Sequence, residues 1–304
     1  MKNQFKSTPF LKSLIKLADS IKLPGFSGFS FYNLIEMYVL GIVKGALSAR
    51  AGSISFSFFM AIFPFLLFIL NLLPFIPIEN LEVILLNFIE ILVPENSQNF
   101  FASIFLDIQN KPRGGLLSSV FLLSIFLTAN GVSAIFASFE ESYHIDLSRN
   151  FLKQYFYSIC VAVMLAITLL LAVIVSVFFE IYIYKNLEEL IQSTVNWIRL
   201  GQSFFYVVIT YISVAILYYF GTIEGKKSSF FSPGALMTTL LIIFTTWAFG
   251  IYIENFSTYN QLYGSIGALL IFMLYIWINS IVLLLGFELN ATLNRLKNEE
   301  DKSN

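Results

Sequence analysis

The sequence predicts an all-α, polytopic membrane protein with a bundle of six transmembrane helices. The chain is 57% hydrophobic and only 12% charged, whereas an ordinary soluble domain carries roughly 25% charged residues. Its mean hydropathy is +0.78. Six intervals between neighbouring charged residues exceed 18 residues, the length that a spanning helix needs. Lipid permits only helices or closed barrels, and continuous apolar runs exclude the alternating strands of a barrel.

These intervals define the domain organisation. The predicted spans lie near residues 54–73, 116–139, 155–179, 203–223, 232–253 and 263–288. Residues 1–50 are predicted as cytoplasmic or interfacial amphipathic helices, 51–292 as the transmembrane domain, 74–115 as an extracytoplasmic helical connection and 293–304 as a polar cytoplasmic tail. The single cysteine, Cys160, excludes an internal disulfide and is interpreted as a buried filler of the third span.

Lysine and arginine indicate the orientation. With six spans, residues 1–50, the second and fourth connections and the C-terminus share one side, which carries 14 of the 18 cations. The positive-inside rule therefore predicts a multi-pass protein with both termini in the cytoplasm.

Two N-terminal segments are predicted to lie at that side. Residues 10–23 alternate apolar residues with lysines, which fits a helix on an anionic inner leaflet or one packed on the protein's own cytoplasmic face. Residues 31–49 are predicted as a second interfacial helix leading into the first span. In that span, a stripe of small residues with helical spacing predicts a close approach by a neighbouring helix: Ser53, Ser57, Ala61 and Pro64.

Polar residues are rare within the spans, and each one needs a partner in lipid. Asn130 is predicted to face the bundle interior. The fifth span starts at Pro233 and carries Thr238, Thr239, Thr245 and Thr246 on one broad face. Tyr275, Asn279, Gly286 and Asn290 share one face of the sixth span. Glu288 lies off that face near the cytoplasmic end, where we expect it to snorkel or to pair locally.

The sequence gives little support for a metal site or for a nuclease activity. Glu140 and His144 are four residues apart and could form half of a metal site, but His144 is the only histidine, so an interfacial loop is the better interpretation. A nuclease needs clustered ligands or proton-transfer pairs and a basic surface for phosphates. A net charge of −1 offers no such surface. No cofactor, metal or nucleic-acid partner is expected.

Four stretches, taken in order and spacing, resemble the YihY/BrkB family of bacterial inner-membrane proteins. They are Ala49-Arg50-Ala51-Gly52 with Phe63-Pro64, Gly131-Val132-Ser133 with Tyr143 and Arg149, Tyr263-Gly264-Ser265-Ile266-Gly267, and Gly286-Phe287-Glu288-Leu289-Asn290-Ala291. The resemblance spans roughly residues 35–292. The family pattern has asparagine three residues before the tyrosine, where this chain has Glu140. The resemblance implies a bacterial inner-membrane protein linked to virulence, in a family once labelled ribonuclease BN.

The leading functional hypothesis is a transporter or flippase-like protein for an amphiphile or envelope lipid, and not an enzyme. Hydroxyl and amide groups could bind a polar headgroup while the acyl chains stay in lipid. The candidate path residues are Asn130, Thr238, Thr245, Tyr275 and Asn279, with Arg50 and Arg149 as candidate anion contacts. The alternative is a non-transporting scaffold that assembles with other envelope proteins or with itself. The chain has no nucleotide-binding loop.

Overall fold

The computed structural model describes residues 19–20, 30–72, 117–145, 148–178, 192–227, 229–255 and 265–303. All long elements within these ranges are helices, as the sequence predicts. They are α1 (Phe31–Lys44), α2 (Leu47–Leu72), α3 (Leu117–Glu140), α4 (Phe151–Phe178), α5 (Gln192–Gly221), α6 (Pro233–Asn255) and α7 (Ser265–Ser303). The predicted N-terminal helix at 10–23 and the connection at 74–115 lie outside the described helices.

The helix ends follow from local sequence. Ser30 caps α1 by accepting a hydrogen bond from the Asn33 backbone N–H at 3.4 Å. Ser232 caps α6 in the same way, and Pro233 occupies the first helical position, where its missing N–H is not needed. α7 continues to Ser303, so the segment predicted as a polar tail begins as an extension of the last helix.

In the part of the chain that the structure describes, five helices are long and apolar enough to cross a membrane as single elements. The first two helices, over Phe31–Lys44 and Leu47–Ile62, are long and apolar enough to cross a membrane only when they are taken together as one span with a bend of 61°. The bend lies at Gly45 and Ala46, and Ala46 has a φ of 46°, in the left-handed region that a side chain disfavours. The described residues therefore contain five candidate spans, or six when the bent pair counts as one.

The helices contact one another in a ring that runs α2, α3, α4, α5, α6, α7 and back to α2, with α1 packed on α7. One close approach joins α2 to α3. A Cβ atom on Gly131 would lie only 2.8 Å from the Ala61 side chain and 3.6 Å from the Ser57 carbonyl oxygen. This confirms the prediction that the small-residue stripe of the first span receives a neighbouring helix.

An aromatic core closes the ring near one end. Phe139 of α3 stacks on Phe287 of α7 with ring centroids 4.1 Å apart, and Tyr218 of α5 meets both rings edge-on. Phe136, Phe139 and Leu284 are fully buried. Cys160 is exposed rather than buried, so its interpretation as a core filler is wrong.

The same end of the bundle gathers the α1–α2 bend, the α3–α4 and α5–α6 connections and the second half of α7. Arg50 bonds the Ser138 carbonyl, Arg149 bonds the Phe220 carbonyl, and Asn290 bonds Ser232. We call this the basic end, because it carries Lys44, Arg50, Arg149, Lys153, Arg295 and Lys297. The predicted six-span topology also places these segments on one side.

Candidate functional site

A buried ion pair ties the basic end together. Arg50 Nη1 donates to Glu288 Oε1 at 2.7 Å, and the two side chains are 2% and 0% exposed. The guanidinium also donates through Nε to the Ser138 carbonyl at 2.7 Å and through Nη1 to the Gly45 carbonyl at 3.2 Å. Ser142 donates its hydroxyl proton to Glu288 Oε2 at 2.8 Å. The pair thus connects the α1–α2 bend, the end of α3, the following turn and α7.

This geometry corrects the expectation for Glu288, which neither snorkels nor pairs locally. Glu288 faces away from the face of Asn279, as predicted, but that direction points into the bundle toward Arg50. The absence of a side chain at Gly41 leaves space for Glu288 and His144, since a Cβ atom there would lie 2.9 Å from both Glu288 Oε2 and His144 Nε2. The sequence does contain a signal for this pair. Arg50 and Glu288 carry opposite charges, each lies beside an apolar run, and both fall at the same predicted end of the bundle.

Glu140 and His144 do not form a metal site. His144 is buried, and its Nε2 donates to the Met37 carbonyl at 2.9 Å. Glu140 instead accepts the Arg149 backbone N–H at 3.1 Å, which closes the connection between α3 and α4. The described ranges contain no group of three or more His, Cys, Asp or Glu side chains able to hold a metal ion.

Arg149 caps the C-terminal end of α5. Its guanidinium donates to the carbonyls of Phe220 and Thr222, each at 2.6 Å, and stacks over the Tyr157 ring at 4.4 Å. Cations stabilise this end of a helix, where carbonyls lack helical partners. Burial lowers the pKa of Arg149, an effect that Glu140 opposes. The guanidinium stays charged, since arginine does not deprotonate in proteins.

Thr238 belongs to a fixed contact between α6 and α7. The Tyr218 hydroxyl donates to the Leu283 carbonyl at 2.6 Å and lies 2.6 Å from the Thr238 hydroxyl, which must then be the donor between them. Gly234 and Gly286 lie so close together that a Cβ on either would overlap the other helix. We call this region the glycine contact.

Asn290 completes the glycine contact. Its Oδ1 accepts the Gly234 backbone N–H at 2.8 Å, and its Nδ2 donates to Ser232 at 2.9 Å. Asn290 and Thr238 therefore join helices, and each of their polar groups named here has a partner.

A second polar group, which we call the polar seam, joins the same two helices farther from the basic end. It consists of Thr245, Thr246, Tyr275 and Asn279. Thr246 and Tyr275 join their hydroxyls at 2.9 Å at an exposed position. Thr245 lies 3.2 Å from Asn279 Oδ1 and 3.1 Å from the Ile242 carbonyl, but its one hydroxyl proton serves only one of them at a time. Tyr275, Asn279, Gly286 and Asn290 share one face against α6, as the sequence predicts.

Asn130 is the exception among the predicted path residues. Its side chain is exposed, so the prediction that it faces the bundle interior is wrong. It lies on the face of α3 that also exposes Leu123 and Phe126, while Ala129 and Gly131 on either side are buried. The structure thus brings Thr245, Tyr275 and Asn279 together and places Asn130, Arg50 and Arg149 elsewhere.

Comparison with known proteins identifies the family. A family model described as "Virulence factor BrkB" matches residues 41–304. The chain belongs to this family. The BrkB-family chain is 28% identical over 262 residues to the Bacillus subtilis protein named "Putative ribonuclease-like protein YfkH", covering 84% of this chain and 93% of that protein. It is 24% identical over 245 residues to a "UPF0761 membrane protein" of Coxiella burnetii, covering 78% and 84%.

No solved structure matches the chain. The family match, the name of the Coxiella relative and the several long apolar helices together indicate a multi-pass membrane protein.

Proposed function

We propose that this BrkB-family protein is a transporter or flippase-like protein for an amphiphile, whose headgroup enters the polar seam between α6 and α7. The observation that carries the proposal is the contrast between the two contacts of this helix pair. The glycine contact is buried and closely packed, whereas the seam is only half-buried and held by hydroxyl and amide groups that can exchange partners.

The position of α6 supports this proposal. It packs between α5 and α7 and exposes an apolar outward face that fits lipid: Leu236, Leu240, Phe244, Trp247 and Ile251. A helix fixed at one end and held weakly at the other can separate from its neighbour at the weak end. A headgroup in the gap would replace the hydrogen bonds of Thr245, Thr246, Tyr275 and Asn279, while its acyl chains remain in the bilayer.

The seam also limits the headgroup chemistry. Its named side chains are neutral, and the buried charges of Arg50 and Glu288 already neutralise each other. We therefore propose a headgroup bound by hydrogen bonds, and we place the protein in the bacterial inner membrane with the basic end in the cytoplasm.

Lipid translocation in proteoliposomes tests the function. Wild-type protein is expected to move a fluorescent phospholipid across the bilayer faster than protein-free vesicles do, and Asn279→Leu is expected to lose most of that activity. Thr168→Val is the matched control, because the Thr168 hydroxyl donates back to its own helix, at the Met164 carbonyl. Thermal melting of each variant in detergent confirms folding.

Two results would contradict the proposal. If folded wild type moves no lipid, the scaffold hypothesis replaces it. If Asn279→Leu moves lipid as fast as wild type, the headgroup does not use the seam.

A further inference from the structure

Two cations converge on one exposed aromatic ring at the basic end. Lys44 Nζ lies 4.7 Å from the centroid of the Tyr143 ring and donates to its hydroxyl at 3.4 Å. The Arg295 guanidinium carbon lies 5.9 Å from the same centroid. Tyr143 is 44% exposed, so the group is open to a ligand. These residues come from α1, the α3–α4 connection and α7, and only the fold brings them together.

Within the described residues, neither cation contacts a buried partner. Arg295 forms a long contact of 3.6 Å with Glu299 on its own helix, and both side chains are substantially exposed. Exposed pairs of this kind contribute little, and a stronger anion can displace the carboxylate. Lys44 is likewise exposed and uses the tyrosine hydroxyl. Two positive charges with weak partners form a ready site for one phosphate group.

An apolar stripe runs along another face of α1. Phe31, Ile35, Val39 and Val43 recur every four residues and are 41–66% exposed, whereas Lys44 lies about 100–180° round the helix from them. The opposite side of α1 packs on α7, where the Tyr38 hydroxyl donates to the Leu285 carbonyl. Apolar residues that face outward next to basic residues are typical of a helix at a membrane surface.

We propose that Lys44, Arg295 and Tyr143 form a binding site for the phosphate of an anionic phospholipid, with its acyl chains in the bilayer beside α1. Charge complementarity selects the anion, and the apolar stripe places α1 at the membrane surface, where the phosphates are those of lipids. This site also replaces the earlier hypothesis that Arg50 and Arg149 contact anions, because both of those guanidiniums bind partners within the protein. The proposal does not depend on transport.

Lipid binding to the purified full-length protein in a neutral detergent tests the site. Native mass spectrometry would compare phosphatidylglycerol, phosphatidylcholine and inorganic phosphate. The variants are Lys44→Gln with Arg295→Gln, and the matched control is Lys297→Gln, which removes an exposed cation from the same helix two residues further along. Each site cation is expected to contribute about fivefold to the affinity for an anionic lipid.

The expected result is a clear preference for phosphatidylglycerol over phosphatidylcholine, a loss of about 25-fold in the double variant, and a change of less than about twofold in Lys297→Gln. Equal binding of the two lipids, or an equal loss in the control, would overturn the proposal. Phosphate binding as tight as lipid binding would show a free-anion site instead.

Discussion

The buried ion pair provides the sharpest prediction for stability. Arg50→Met would leave the carboxylate of Glu288 fully buried, with only the Ser142 hydroxyl as its remaining partner among the contacts described above. Breaking a buried pair by removing one partner costs about 3–5 kcal/mol, because an uncompensated charge remains. Glu288→Met should cost a similar amount, since it leaves the guanidinium without its counter-charge.

The double variant distinguishes pairing from simple loss of packing. With both charges removed, the free energy of unfolding should fall by only about 2–4 kcal/mol, because the remaining penalty comes from the unpaired Ser138 carbonyl and Ser142 hydroxyl. The double variant should therefore lose several kcal/mol less than the two single losses added together.

The free energy of unfolding can be measured by denaturant titration in mixed micelles, followed by tryptophan fluorescence. Arg295→Met and Glu299→Met form the matched control cycle, with an arginine–glutamate pair at 3.6 Å that is exposed. That pair should contribute less than about 1 kcal/mol. Losses below about 1 kcal/mol in the Arg50 and Glu288 single variants, or strict additivity in their double variant, would refute this account of the basic end.

Three further substitutions test other parts of the bundle. Gly286→Ala should destabilise the protein by about 1–3 kcal/mol in the same titration, because its Cβ would overlap α6, whereas Gly250→Ala, with open space around it, should be neutral or slightly stabilising. Arg149→Gln should lower the midpoint of unfolding by weakening the cap of α5, a loss of about 2–3 kcal/mol, and no change would show that the cap is dispensable. Ala46→Gly should raise the melting temperature by relieving its left-handed backbone, and a fall would contradict that explanation.

The fold was predictable because it depends on long patterns. Segregation of charge and apolar runs of about 20 residues predicted the helices, and the structure confirms an all-α membrane bundle. The small-residue stripe of the first span also predicted a closely packed neighbouring helix correctly, and the shared face of small and polar residues in the last span was predictable too. These features follow from helical periodicity, which sequence alone displays.

The site was less predictable because it depends on which helix faces meet. The sequence around Asn130 is apolar, as it would be around a buried asparagine. Whether its side chain faces the bundle interior depends on how α3 packs on α2 and α4. The burial and pairing of Glu288 could not be predicted, because its partner, Arg50, is 238 residues away in sequence. Lys44, Tyr143 and Arg295 come from three separate segments, and no local sequence pattern connects them. Sequence spacing could not reveal these long-range contacts.

The central claim is that the polar seam opens to pass a headgroup, and locking it tests this most directly. Thr246→Cys and Tyr275→Cys would place two thiols across the seam, where their side chains now meet, in a Cys160→Ser background that removes the chain's only cysteine. A short, cleavable bis-maleimide would then join α6 to α7. The account predicts that cross-linking stops the lipid translocation that the double-cysteine protein shows in proteoliposomes before cross-linking, and that cleavage restores it to that rate. Equal translocation by the locked and cleaved protein would contradict the claim.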